Sequence, residues 1–350
     1  MKVNKRILAT VPKVYSICKV PASSSGGEPS FLAASETNGP ALFFKPPVYK
    51  PQAIAEEPGG FISLWSFEVD GRPYVVASTQ FKPGFDAANC DIRVYPLDQG
   101  ERPEPVKIFP LPYTHRVAVI EIGGERVFVA STLCAKKDSR EDWSHPGGIF
   151  AARIPAPLDA EWKITPVFEG LNKNHGMDLA QIDPSGRRGF LISAMEGCFF
   201  LTIPRTPSES WGIEQIDSEE TSDAYAFDWD GDGHPQVFAI QPFHGNRVSV
   251  FRKQDEKWTK SVLTDEIEFG HVLWAGPLLD RRAVIVGCRG GSRDLAVYWK
   301  TGPGDEDCER EVIDRDIGPA QMAVHHDGDR EFLVVSGHGV DSVILYELNR

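Results

Sequence analysis

The stretch FDWDGDGHPQVF, residues 227–238, alternates Asp228, Asp230 and Asp232 with Gly231 and Gly233 before an apolar run. Two readings compete for it. Carboxylates at alternate positions followed by glycine open a calcium-binding loop. Asp and Gly also build the tight turn between antiparallel strands, through positive φ and local side-chain hydrogen bonds. The flanking sequence favours the turn. QVFAIQPFHGNRVSVFRK (236–253) reads as strand, loop, strand, and KWTKSVLTDEIE (257–268) adds a third strand. Strands rich in Val, Ile and Phe, bounded by Gly, Asp and Pro, support that reading.

The same grammar recurs along the chain. FISLWSFEVDGRPYVVAST (61–79), HRVAVIEIGGERVFVAST (115–132), HVLWAGPLLDRRAVIVGC (271–288) and AQMAVHHDGDREFLVVSG (320–337) each place a turn between two apolar strands. In three of them EVDGRP, EIGGER and HHDGDRE stand where the Asp-rich stretch stands. Units begin near residues 14, 62, 115, 175, 222, 271 and 319, a spacing of about 50 residues that suits four antiparallel strands per unit. The last unit ends in VILYELNR with no outer strand, and KRILATVP (5–12) precedes the first unit without an inner partner. The expectation is therefore all-β: one seven-bladed β-propeller domain over 1–350, closed by strand 5–12 joining the last blade, so that no sheet edge is left open.

Bulk properties narrow the function. A formal net charge of −13 and the absence of a Lys/Arg cluster argue against nucleic acid or anionic lipid as partner. No run of about 18 apolar residues suggests a membrane span. The opening MKVNKRILATVPKVYSICKV lacks a signal-peptide pattern. The six cysteines are scattered with no CxxC pair, which reads as reduced thiols in a cytoplasmic protein.

The candidate chemistry lies where the first strand of each unit begins. His115, His175 and His271 occupy matching positions in THRVAV, NHGMDL and GHVLWA. Residues at those positions converge in a propeller, and convergent polar groups mark the default site. Three neutral imidazoles suit a divalent first-row metal (Zn, Mn, Ni, Fe or Co) with one coordination position left open. The loops between second and third strands add His244 and Arg247, His338, and Arg289 and Arg293; Tyr225 lies on the first strand of unit five. No GxSxG elbow, HExxH, Walker loop or GxGxxG after a strand is present. Asp178, Glu196 and Asp223 do not match in repeat position, as a glycosidase carboxylate set would require.

The DWDGDG stretch resembles the FG-GAP/VCBS propeller repeat, whose loop binds calcium; that resemblance implies a structural ion at Asp228, Asp230 and Asp232. Gln236 stands where the family pattern has a closing acidic residue. Together with THRVAV, NHGMDL and GHVLWA, the repeats resemble the propeller domain of the aldos-2-ulose dehydratases, which act on 1,5-anhydrofructose and related 2-keto sugars. The sequence holds no counterpart of that family's cupin-like C-terminal part. The resemblance implies a sugar lyase. A metal on His115, His175 and His271 would hold the keto sugar, His244 or His338 would take the proton next to the carbonyl, Arg116 or Arg289 would stabilise the enolate, and Tyr225 would assist loss of hydroxyl. A non-catalytic propeller binding a carbohydrate or protein, and a metal-dependent sugar isomerase or epimerase, fit the same residues.

Overall fold

The computed structural model describes residues 1–21, 27–182, 185–255 and 257–350. Its strands form seven four-stranded antiparallel sheets, the blades of a seven-bladed β-propeller. The first strands of blades 1 to 7 are Val14–Val20, Ser63–Val69, Thr114–Ile122, Gly176–Gln181, Asp223–Phe227, Gly270–Leu278 and Pro319–Asp327. Each lies within a few residues of its expected start. The outer strand of blade 7 is Lys2–Thr10, paired antiparallel with Ser342–Asn349 from Lys2↔Asn349 to Thr10↔Ser342. The expected closing strand is thus present, starting three residues earlier than the pattern suggested. A single 3₁₀ turn, His338–Val340, is the one helical element among the described residues.

Two compact units are distinguished within the chain. Unit 1 comprises Met1–Gly170 and Ala320–Arg350; unit 2 comprises Leu171–Pro319.

Burial explains the strand patterns. Second strands are apolar almost throughout: Arg281–Cys288 is exposed only at its first two residues, and both alternating sets of its later side chains are buried. Outer strands alternate, as Lys107–Pro110 does between half-buried and exposed positions. The first turns follow the two-residue hairpin rule. Val69 pairs with Arg72, so Asp70 and Gly71 alone form the loop, both at positive φ (51° and 75°).

The Asp-rich stretch is such a turn, lengthened and internally bonded. Trp229 is fully buried and meets Phe238 edge to face at 5.6 Å. Asp228 accepts the N–H groups of Gly231, Asp232 and Gly233. Asp230 is bound by Arg252 at 2.8 Å and Lys300 at 2.9 Å. Asp232 accepts the His234 N–H. Gln236 fills the place of the missing acid differently: its carbonyl oxygen accepts the N–H groups of Trp229 and Asp230.

Candidate metal centre

Unit 2 brings three histidines together from three consecutive blades. His175 immediately precedes the first strand of blade 4, and its N–H is held by the Ser193 carbonyl at 2.9 Å. His271 lies in blade 6 at a register break: Gly270 pairs with Cys288 and Val272 with Gly287, so His271 is the extra residue of a β-bulge. A bulge turns its side chain out of the ladder. His244 sits in the blade 5 loop between Gln236–Gln241 and Arg247–Gln254, at φ 48°. Gly245 makes that loop possible. A Cβ there would stand 2.4 Å from the Pro242 nitrogen. The Gly245 carbonyl accepts the Gly270 N–H at 3.0 Å, which ties the His244 loop to the strand carrying His271.

The rings then fall into a compact set. His244 lies nearly parallel to His271, centroids 5.1 Å apart and planes at 26°. His175 stands edge-on to both, at 4.9 Å and 5.2 Å. One donor atom from each of the three lies within 4.8 Å of the others. His175 Nε2 and His244 Nε2 are 3.4 Å apart. His175 Nδ1 is 2.8 Å from the Ser222 carbonyl oxygen. That contact puts the ring proton on Nδ1 and leaves the Nε2 lone pair facing His244. His175 and His271 are buried and His244 is half-buried.

Aromatic rings and cations border the cluster. Phe243 and Phe269 lie 4.2 Å and 4.5 Å from the His244 ring, and Phe269 is 42% exposed. Lys173 Nζ is 5.1 Å from the Phe243 centroid, and Arg289 Cζ is 5.8 Å from that of Phe269. Gly176 leaves room for Asp223: a Cβ on Gly176 would be 2.9 Å from Asp223 Oδ1. Tyr225 lies two residues beyond Asp223 on the same strand and shares its face. Burial pushes the Tyr225 phenol up to about 12; the Asp178 charge adds to this and a hydrogen bond with Trp274 opposes it. The hydroxyl therefore stays protonated through the neutral range.

His115, Arg116 and His338 belong to unit 1. His115 is in unit 1, again the extra residue of a bulge, between Thr114 and Arg116. Its ring meets Tyr15 at 6.3 Å and Phe81 at 5.8 Å. Sequence grouped His115 with His175 and His271 because all three mark a blade's first strand, and that grouping stays an expectation. Within unit 2, His175 and His271 converge with His244, which comes from the loop of the blade between theirs. Arg116, also in unit 1, lies over the Tyr15 ring at 5.9 Å, and His338 Nε2 is 2.6 Å from buried Glu36. Of the expected bases, then, His244 is a member of the cluster and His338 is hydrogen-bonded to Glu36. Asp228, Asp230 and Asp232 do not converge as a donor group among the described residues; their oxygens are taken by backbone N–H groups, Arg252 and Lys300. A second convergent group, Asp138, Asp142 and His145, occupies an exposed loop of unit 1. There the Asp138 and Ser144 N–H groups, accepted by Asp142, hold its carboxyl well below the usual range. All six cysteines are free, and burial pushes their thiols up, to about 11 for Cys134 and Cys288 and about 12 for Cys90. None has the depressed pKa of a nucleophile.

No protein-family model matches the sequence, and no curated protein matches it. Solved structures do match in fold. The β-propeller domain of Myceliophteria thermophila Cps50 (Swd1) covers 99% of this chain and 100% of its own, at 11% identity and a TM-score of 0.60. A structure described as YCF48 bound to D1 peptide covers 99% and 97% at 13% identity and a TM-score of 0.58. The WD40 β-propeller domain of Doa1 covers 99% and 97% at 10% identity and a TM-score of 0.57. At these identities the likeness is one of fold: the chain is a β-propeller.

Proposed function

We propose that His175, His244 and His271 hold one divalent transition metal and that this centre acts on a carbohydrate oxygen. The observation that carries the reading is the convergence of three imidazole donors within 4.8 Å, two of them 3.4 Å apart. A tetrahedral ion with metal–nitrogen bonds of about 2.0–2.1 Å sets neighbouring ligand nitrogens about 3.3–3.4 Å apart. The His175–Ser222 contact is the kind of outer hydrogen bond that orients a ligating imidazole. An all-imidazole set favours Zn, Fe, Co or Ni over the oxygen-preferring Mn. Three protein ligands leave a fourth position for substrate. There a bound metal supplies Lewis acidity towards a carbonyl oxygen.

The reaction class we infer is proton abstraction next to the carbonyl of a keto sugar, followed by loss of a β-hydroxyl as water. His244, as a ligand, does not serve as the base. Asp223, beside Gly176 and adjacent to the residue that orients His175, takes the proton. Tyr225, protonated at neutral pH, gives one to the departing hydroxyl.

The test is incubation of the metal-loaded protein with 2-keto sugars, reading the ultraviolet absorbance of an unsaturated ketone. Wild-type protein is expected to produce it. His175→Ala is expected to lose both metal and product while keeping its far-ultraviolet circular dichroism. Product formation by His175→Ala at the wild-type rate would remove the centre from the mechanism. A protein with neither metal nor turnover would be a binding propeller.

A further inference from the structure

We infer that unit 1 carries a small-molecule site of its own: a cavity between loops of blades 2 and 3 that takes the ring of an uncharged sugar. None of its residues belongs to the metal centre, so it stands whether or not a metal binds there.

The cavity holds about 460 Å³, within the range of small-ligand sites. Its apolar wall is Pro83, Phe85 and Tyr113, and its polar wall is Asp86, Asp138 and Arg140. Two loops build it. Residues 80–90 follow the strand Arg72–Thr79 of blade 2, and residues 133–146 follow Glu125–Thr132 of blade 3. The Lys82 N–H closes the first loop on the Asp86 carbonyl at 2.9 Å. Tyr113 joins the two loops. Its N–H binds the Ala87 carbonyl at 2.8 Å, its carbonyl accepts the Leu133 N–H at 2.9 Å, and its hydroxyl accepts the Lys137 N–H.

Three observations point to a ligand. The first is backbone strain in the wall. Gly84, Phe85 and Tyr113 hold positive φ, 82°, 62° and 59°. That region is unfavourable for the two aromatic residues, and such strain is typical of ligand clamps. A Cβ on Gly84 would stand 2.7 Å from Arg140 Nη2, so the glycine lets the guanidinium lie against the loop. The second is an aromatic face held by its neighbours. Phe85 meets Phe81 edge-on at 6.4 Å and Trp143 at 5.6 Å, and Lys137 Nζ lies 3.4 Å from the Trp143 centroid. The half-buried Phe85 ring offers a flat apolar surface to the C–H side of a sugar.

The third is the charge balance of the lining. Asp86 and Asp138 are matched by Lys137 and Arg140, a neutral sum within a chain of net charge −13. Asp138 and the two cations are already engaged with the protein. Lys136 Nζ and His145 Nε2 lie 3.3 Å and 3.6 Å from Asp138. Lys137 Nζ donates to the Arg140 carbonyl at 2.8 Å, and Arg140 Nε is 4.0 Å from Glu141. A charged ligand would have to displace these partners. A hydroxyl would not, because it donates to a carboxylate and accepts from a guanidinium at once. Carboxylates and a guanidinium set around an aromatic face therefore select a polyol over an anion or a cation.

The experiment titrates the full chain calorimetrically with glucose, galactose and mannose, each beside its 2-amino sugar and its uronic acid. At least one hexose is expected to bind, about tenfold more tightly than either charged counterpart. Phe85→Ala is expected to weaken that binding by about tenfold, and Arg140→Gln, at a side chain 77% exposed and therefore safe for the fold, by about threefold. His175→Ala is expected to bind the sugar as the wild type does. Binding of none of the hexoses, preference for a charged sugar, or an affinity left unchanged by either wall variant overturns the inference. Loss of binding in His175→Ala overturns it too, by putting the sugar at the metal centre.

Discussion

His271 occupies the surplus position of a β-bulge, and a side chain in that position is free of the ladder's alternation. Its replacement by Ala therefore removes a ligand without breaking a strand pair. His271→Ala is expected to lose stoichiometric metal while its urea midpoint without metal stays close to wild type; a retained equivalent of metal would take His271 out of the site. Tyr225→Phe removes one hydroxyl from a packed ring. The expected result is a fall in kcat of about 10²–10⁴ with metal content unchanged, and an unaltered kcat would end its role as acid. Asp228 makes a third case. Its carboxylate accepts three backbone N–H groups, so Asp228→Ala is expected to cost about 1–3 kcal/mol in chemical unfolding. Calcium is expected to leave the wild-type melting temperature unmoved. A calcium-dependent rise would mean that the turn opens to an ion instead.

At the scale of elements, the strand Lys2–Thr10 is what completes blade 7. Without it the mostly buried strand Ser342–Asn349 becomes an exposed edge, which invites aggregation. Deletion of residues 1–10 is expected to lower the thermal midpoint or give aggregated protein on size-exclusion chromatography; a monomer with wild-type melting would show that the strand is dispensable. This strand was legible in sequence because blade 7 lacked a fourth strand and the N-terminal segment lacked a partner. Turns such as Asp70–Gly71 were legible because their chemistry is local. The site was legible only in part. His175 and His271 stood out at the start of a blade, but every blade has such a position, and repeat equivalence says nothing about which positions touch. His244 joins them through a loop-to-loop hydrogen bond between Gly245 and Gly270, a long-range contact that leaves no mark on spacing. Lys173, Phe243, Phe269 and the placement of Asp223 beside Gly176 depend on positive-φ loops and close approach, and were missed for the same reason.

Across the molecule, the acidic balance predicts how stability follows pH. Burial alone would raise Asp217, Glu219 and Asp230; hydrogen bonds from Lys260 and Gln241, from Lys260 and Arg247, and from Arg252 and Lys300 outweigh it and hold all three below the ordinary carboxylate range. A group whose folded pKa is depressed contributes stability above its unfolded pKa and loses it as pH falls through the folded value. Thermal unfolding is therefore expected to be insensitive to pH between 6 and 8 from these groups and to weaken below about pH 4. A protein equally stable on both sides of that boundary would show that these pairs contribute nothing. The chemistry of the molecule turns on which histidines act together. The most direct measurement is metal per chain, by elemental analysis after loading with Zn²⁺ and desalting, for the wild type, His244→Ala and His115→Ala. About one equivalent is expected in the wild type and in His115→Ala, and none in His244→Ala. Metal retained by His244→Ala and lost by His115→Ala would contradict this expectation.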